Sequence, residues 1–374
     1  MRDDRDTYGG HMKAWEGFDA FRISGVELTR MGQQGIKGRY PIHWHLAGEV
    51  DPLTTYAVNN SLHHNFQRCI TVHGTHGVTV SNNVAYDTMG HCYFLEDGGE
   101  KNNTFDNNLG LVTRPGTTIP SDRQPATFWV TSPLNILTRN HAAGSAGMGI
   151  WYIFPENVTG PSADLGFYQP GEPYRTPILQ SEDNIVHSNL HSGFMLGHLL
   201  LPDQDFSGTT IMCDPRTEPL DPDSPPAEHL VTRLTAYKNV HQNAWNDCRH
   251  TRFVGYKSSD AFLGLTMKYD NWLINSTFVG ESSNLGEPNM VRLRNGSKVR
   301  LLACEQKSHD DDDADDDNDG DRWIRTKVMW HRSTPVPGNS GSQSYIGLQL
   351  YDGNPDVNGY GTHTMGAFVP NQYF

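Results

Sequence analysis

Residues 60–74 read NSLHHNFQRCITVHG and residues 83–97 read NVAYDTMGHCYFLED. An offset of 23 residues aligns Cys69 with Cys92, Ile70 with Tyr93, Val72 with Leu95 and His73 with Glu96. Short β-branched and aromatic runs repeating with a period in the low twenties point to a solenoid. In a β-helix each coil is one such unit, and coils stack at the strand spacing of about 4.8 Å. Similar Asn-containing runs recur at 102–112, 133–142, 184–195, 234–246 and 272–279. Asparagine tolerates the left-handed backbone of a tight turn and can ladder with its own kind along a stack. The expected fold is all-β: a right-handed parallel β-helix of the pectate-lyase-like kind, with rungs from about residue 20 to 353 and little helix. An antiparallel sandwich is the alternative.

By length alone, 374 residues suggest two domains. A repeat fold adds a slice of core with every rung, so one domain over 1–374 is expected instead. Glycine (37) and proline (22) are plentiful, as many short strands and turns require. Pro- and Gly-rich breaks at 113–124, 155–177 and 201–226 read as long loops walling a cleft. An Asp-rich insert occupies about 305–323.

The net charge is −14, but nine of the negative charges lie between Asp310 and Asp321. The rest of the chain is only mildly acidic, which argues against a nucleic-acid binder. No apolar stretch reaches the ~18 residues of a membrane span. The first five residues lack the apolar core of a signal peptide, so an extracellular protein would contain this chain as a fragment or a mature form. Five cysteines without a CxxC pair exclude zinc-ribbon and thioredoxin readings and leave at least one thiol free. Cys69 and Cys92 fall one rung apart and are expected as two stacked, reduced thiols, although one or two disulfides are open to a secreted chain. Sequons at Asn59, Asn102, Asn157, Asn275 and Asn295 lend secretion weak support.

Several segments together resemble one family. They are GRYPIHWHLAGEVD (38–51), RCITVHG (68–74), GHCYFLEDGGEKNNTFDNNLGL (90–111), PSDR (120–123), TFWVTSP (127–133) and AAGSAGMGIWYIF (142–154). HSNLHSGF (187–194), FVGES (278–282) and GLQLYDG (347–353) continue the series in order. They are similar to the β-helix region of the family of the cell migration-inducing hyaluronan-binding protein and its transmembrane cell-surface relative. The resemblance implies a parallel β-helix, an extracellular or cell-surface setting, and hyaluronan binding or depolymerisation, with calcium dependence in part of the family. The Asp-rich insert and His141, where vertebrate relatives tend to carry Cys, depart from the pattern. The resemblance supplies no catalytic assignment, so the site is argued from chemistry.

In a strand, His43 and His45 point to one face, about 7 Å apart along it. Aligning Ile42 with Ile70 and Tyr93 places His45, His73 and Glu96 in one column over three rungs, with His43 beside it and Asp97 following. Such a set is a metal-ligand group suited to a zinc-like divalent ion, His43, His45, His73 and Glu96 being the ligands. It is equally an acid/base set for cleaving a glycosidic bond. Any one of these histidines could instead line the solenoid or bond its turns, and a slip of one residue would send a side chain to the other face. His91, in register with Arg68, is expected on the cleft rim. Asp122 and Arg123 are further candidates, a carboxylate for catalysis and a cation for a uronate, unless they form a salt-bridged loop. His63 and His64 read as turn residues.

Trp44, Trp151 and Tyr152 are candidate sugar platforms, and Trp151 and Tyr152 are adjacent, so one of them must face outward. Trp129 and Trp245 add to the aromatic excess. Asp315, Asp317 and Asp319 followed by Gly320 fit the start of a calcium loop, but the twelfth position is Thr326 where an EF-hand carries Glu. A looser calcium site or a solvated acidic loop are the readings left. The function expected is an extracellular hyaluronan-type glycosaminoglycan depolymerase working in a groove. A non-catalytic carbohydrate-binding module and a lyase acting on another uronate polymer are the alternatives.

Overall fold

The computed structural model describes residues 7–197, 213–261, 263–280 and 282, together with the backbone of short strands between 290 and 351. Three parallel sheets of ten strands each run the length of the stack, and every coil contributes one strand to each sheet. This is the right-handed parallel β-helix expected, and among the described residues helix is confined to three 3-10 turns. Stacking already includes Met12–Trp15, earlier than residue 20.

The first sheet carries the strands Met12–Trp15, Ile42–Glu49, Ile70–His76, Tyr93–Leu95, Ala126–Val130 and Met148–Tyr152, and continues upward from there. Its register matches the repeat: Ile42 pairs with Ile70, Trp44 with Val72 and His45 with His73, while Tyr93 pairs with Ile70 and Leu95 with Val72. Period-two alternation then sorts the side chains. Ile42, Trp44, Ile70, Val72, Tyr93, Leu95, Phe128, Ile150 and Tyr152 fill the interior of the coil. Their neighbours in the strands, among them Phe94, Trp129, Trp151 and Met195, form a second apolar cluster on the outward face.

The turn between the second and third sheets explains the recurring asparagines. Asn59, Asn82 and Asn107 take positive φ of 58°, 54° and 53°, a left-handed conformation that asparagine accepts more readily than most residues. The next residue in each case is a buried ladder asparagine. The Asn60 amide donates to Asn83, Asn83 to Asn108, Asn108 to Asn140 and Asn140 to Asn184. Each carboxamide thereby satisfies backbone and side-chain groups of the coil beside it, which a buried polar column requires.

Cys69 and Cys92 form a disulfide, and Cys213 and Cys248 form a second. The expectation of two reduced thiols is therefore corrected for the first pair. In-register neighbours bring the Cys69 and Cys92 Cα atoms to 4.6 Å, inside the range a disulfide spans.

Of the long loops, residues 155–177 fold back on the stack through turns at Gly160–Leu165 and Pro173–Arg175. The first break begins after Arg114, since Leu109–Arg114 is strand, and holds the turn Pro120–Arg123. The 201–226 break lies partly, and the Asp-rich insert wholly, outside the described residues.

Candidate functional site

The outward face of the first sheet gathers the predicted column at its lower end. His43, His45 and His73 each aim a ring nitrogen at one small volume, and these donor atoms all lie within 4.8 Å of one another. His45 Nδ1 and His73 Nδ1 are 3.0 Å apart. Glu96 Oε2 stands 3.4 Å from His73 Nδ1 and 3.8 Å from His43 Nε2. The second nitrogen of His73 is held by Asp97, with Nε2 donating to Oδ2 at 2.7 Å.

Loop residues fix this arrangement from behind. The Ser162 backbone N–H, in the 155–177 loop, donates to Asp97 Oδ2 at 3.1 Å, and Thr159 N–H donates to the Asp97 carbonyl. Glu100, wholly buried, accepts the N–H groups of Gly74 and Gly98. Burial and the neighbouring Asp97 push the Glu100 carboxyl well above the usual range. Gly74, within the strand Ile70–His76, takes a left-handed φ of +52°, and an added Cβ there would meet Leu46 Cδ2 at 2.6 Å.

The electrostatics divide the cluster. Burial opposes a charge on His73, but its hydrogen bond to Asp97 and the charges of Glu96 and Asp97 outweigh it and raise its pKa. Burial, with His73 and Lys13 nearby, lowers His45 to about 4. Burial drives His43 well below its usual value. Burial raises Glu96, whereas on Asp97 the His73 hydrogen bond overcomes burial and holds the carboxylate low. His45 is half-buried and the Glu96 side chain is 20% exposed, while His73 and Asp97 are buried. His45 and Glu96 thus lie toward solvent, and His73 and Asp97 stand behind them.

His91 and Asp122 belong to a separate, closed network and do not join the column. Asp122 is fully buried and takes Arg68 Nη1 at 2.7 Å, together with the N–H groups of His91 and Ile119. The His91 ring accepts the Ala126 N–H at Nδ1 and donates from Nε2 to Ser121 Oγ. Neither residue has capacity left for a substrate, which corrects the expectation that they act in catalysis. The salt-bridged alternative holds, but with Arg68 as partner and not Arg123. Arg123 is exposed at the end of the same turn that buries Asp122.

The aromatic platforms are also corrected. Trp44 and Tyr152 fill the coil interior. Trp151 faces outward as alternation demands, yet it is buried against Trp129 with its indole N–H donating to Gly197 O. The aromatic ring open to solvent at the site is Trp15, 59% exposed, with its ring centroid 5.0 Å from that of His45. Lys13 Nζ lies 4.4 Å from the Trp15 ring centre. Neither was singled out from the sequence; Met12–Trp15 carries only the weak signal of a short alternating strand. His63 and His64 sit at a strand end and a turn, paired with Glu27 and Asp87. Asp315, Asp317 and Asp319 lie outside the described residues.

A second grouping, Cys213, His229 and Cys248, has metal-ligand composition. The disulfide consumes both thiols, which removes the thiolates that would bind an ion.

Among curated proteins, the chain is 37% identical over 330 residues to the mouse "Cell migration-inducing and hyaluronan-binding protein", an alignment covering 76% of this chain and 24% of the relative. It is 36% identical over 337 residues to the human "Cell surface hyaluronidase CEMIP2", with the same two coverages. A Dictyostelium discoideum relative, "Protein DDB_G0287365", is 32% identical, over 78% of this chain and 31% of its own length. The chain thus spans about a quarter to a third of the length of these relatives. The family model described as the CEMIP beta-helix matches residues 7–126 and 121–194, half of the chain, and includes every residue of the column. The chain belongs to the CEMIP β-helix family.

Proposed function

We propose that this chain is the working β-helix of a hyaluronan-type glycosaminoglycan depolymerase, with its site on the outward face of the first sheet. The observation that carries the reading is the convergence of His45, His73, Glu96 and Asp97 from three successive coils. Binding a sugar chain needs no such set, whereas cleaving a glycosidic bond needs an acid for the leaving oxygen and a base. Glu96 and His45 are the groups placed to touch substrate; His73 and Asp97 position them. Lys13 adds a cation whose charge acts on Glu96, suited to a uronate carboxylate. The names of the mouse and human relatives support hyaluronan as the polymer. Two disulfides support an oxidising, extracellular setting. Among the described residues no helix is long and apolar enough to cross a membrane.

The test is incubation of the chain with hyaluronan and with chondroitin, with and without chelator. Shortened products are expected, and ultraviolet absorbance of an unsaturated uronate among them would assign a lyase route over hydrolysis. Retention of polymer with no shortening would instead establish a carbohydrate-binding module, the reading that exposed Trp15 beside Lys13 would serve equally well.

A further inference from the structure

We infer that His43 Nε2, His45 Nδ1, His73 Nδ1 and Glu96 Oε2 form a binding site for one divalent transition ion of the zinc class. The position rests on donor geometry alone; the role of the ion, as a cation facing a uronate, rests on the depolymerase reading, and with the ion bound His45 and Glu96 serve that reading as its ligands and not as a free acid and base.

His43 is the decisive residue. Its Nδ1 lies 3.1 Å from the Gly38 carbonyl and can only donate there, which leaves Nε2 as a bare lone pair. That Nε2 is buried with no hydrogen-bond partner, and so is Glu96 Oε2 opposite it. Buried polar atoms almost always find partners, and two orphans aimed into one volume indicate a missing third body. His73 repeats the arrangement, with its outer nitrogen on the Asp97 carboxylate and its inner nitrogen aimed at the same volume. A ligand imidazole typically donates its other N–H to a carbonyl or carboxylate, and both of these rings are so held.

The distances fit an ion. Ligand bonds of about 2.0–2.1 Å keep any two donors on one ion within about 4.2 Å of each other. The histidine donors lie within 4.8 Å, so at most about 0.6 Å of closure is needed, a small side-chain adjustment. Neighbouring donors on a tetrahedral ion with bonds of about 2.1 Å lie about 3.4 Å apart, so the His45 and His73 nitrogens, 3.0 Å apart, need to open by only about 0.4 Å. In the bound state the ion replaces the proton shared by those two nitrogens. Three imidazoles and one carboxylate select a transition ion over calcium, which takes six to eight oxygens. The half-buried edges of His45 and Glu96 leave a coordination position toward solvent.

The test is direct metal binding by the full chain. Chelator-treated, dialysed protein is titrated calorimetrically with zinc chloride and with calcium chloride, and its metal content is measured after zinc loading. The cobalt-loaded chain is examined for visible ligand-field absorption. One zinc per chain and a cobalt spectrum are expected, with calcium failing to compete. His43→Ala should weaken zinc binding by at least the ~10–100-fold that loss of a merely supporting residue costs. Because His43 is fully buried, the more exposed His45→Ala and the near-isosteric Glu96→Gln are tested beside it, and both should show a comparable loss. Absence of stoichiometric zinc, or zinc affinity unchanged in His45→Ala and Glu96→Gln, overturns the site. Zinc binding without cleavage of hyaluronan would refute the depolymerase reading and leave the metal site standing. Cleavage by a chain that binds no zinc would do the reverse.

Discussion

His45 and His73, on adjacent coils, point their Nδ1 atoms at each other across 3.0 Å, and Asp97 takes the far nitrogen of His73 at 2.7 Å. One proton lies between the two Nδ1 atoms, and a second is donated by His73 Nε2 to Asp97. A buried carboxylate, an inner imidazole and a half-exposed outer imidazole form a chain in which each member fixes the orientation of the next.

Asp97→Asn keeps the shape of this chain but removes the charge that orients His73. Turnover on hyaluronan should fall by about 100-fold or more, with KM changed little, because Asp97 stands behind the groups that touch substrate. Glu96→Gln should lower turnover similarly. Steady-state kinetics decide it: full kcat in both variants means the column is not the site.

Trp15 is the exposed ring at the site, whereas Trp44 and Trp151 are buried. Trp15→Ala should raise KM for hyaluronan oligosaccharides by about 2- to 12-fold, equivalent to ~0.5–1.5 kcal/mol of lost ring contact, and spare kcat. Unchanged KM would remove Trp15 from the substrate path.

Asn108 sits mid-ladder, accepting the N–H and amide of Asn83 and donating to Val80 O and Asn140. Asn108→Ala leaves several buried groups unmet and should cost at least about 1–3 kcal/mol. Chemical denaturation measures this; a midpoint within error of the parent would mean the ladder contributes nothing net.

Burial lowers His91 and His229 to about 3. An unfolded histidine titrates near 6.5, so below that pH the unfolded chain binds more protons than the folded one. The stability these groups contribute is complete above about pH 6.5 and is lost as pH falls toward 3, at up to about 1.4 kcal/mol per pH unit for each. Between pH 6.5 and 5 each should therefore cost about 2 kcal/mol. The raised His73 acts in the opposite sense, its contribution being lost as pH rises. His91→Gln should flatten the fall in denaturation midpoint between pH 7 and 5. A slope equal to that of the parent would show that His91 is not held neutral.

The chain sequence alone determined the coil period, the sheet register at Ile42, Ile70 and Tyr93, the asparagine turns, and the column of His45, His73 and Glu96. These follow from local rules: a strand alternates with period two, and a solenoid repeats its neighbour, so a 23-residue offset sets both register and face. Tertiary structure decided what covers each face. Alternation separates Trp151 from Tyr152 but cannot say that the outward ring is itself buried. The closing of Asp122 and His91 around Arg68 needs a loop to fold back across 54 residues, and that contact has no periodic signature. The same holds for Ser162 on Asp97 and for Glu100 beneath it, since loops obey no repeat. The disulfide between Cys69 and Cys92 turned on a Cα separation of 4.6 Å, which the offset placed but whose oxidation it left open. Exposure at Trp15 likewise depends on what covers Met12–Trp15, which among the described residues pairs with Ile42–Glu49.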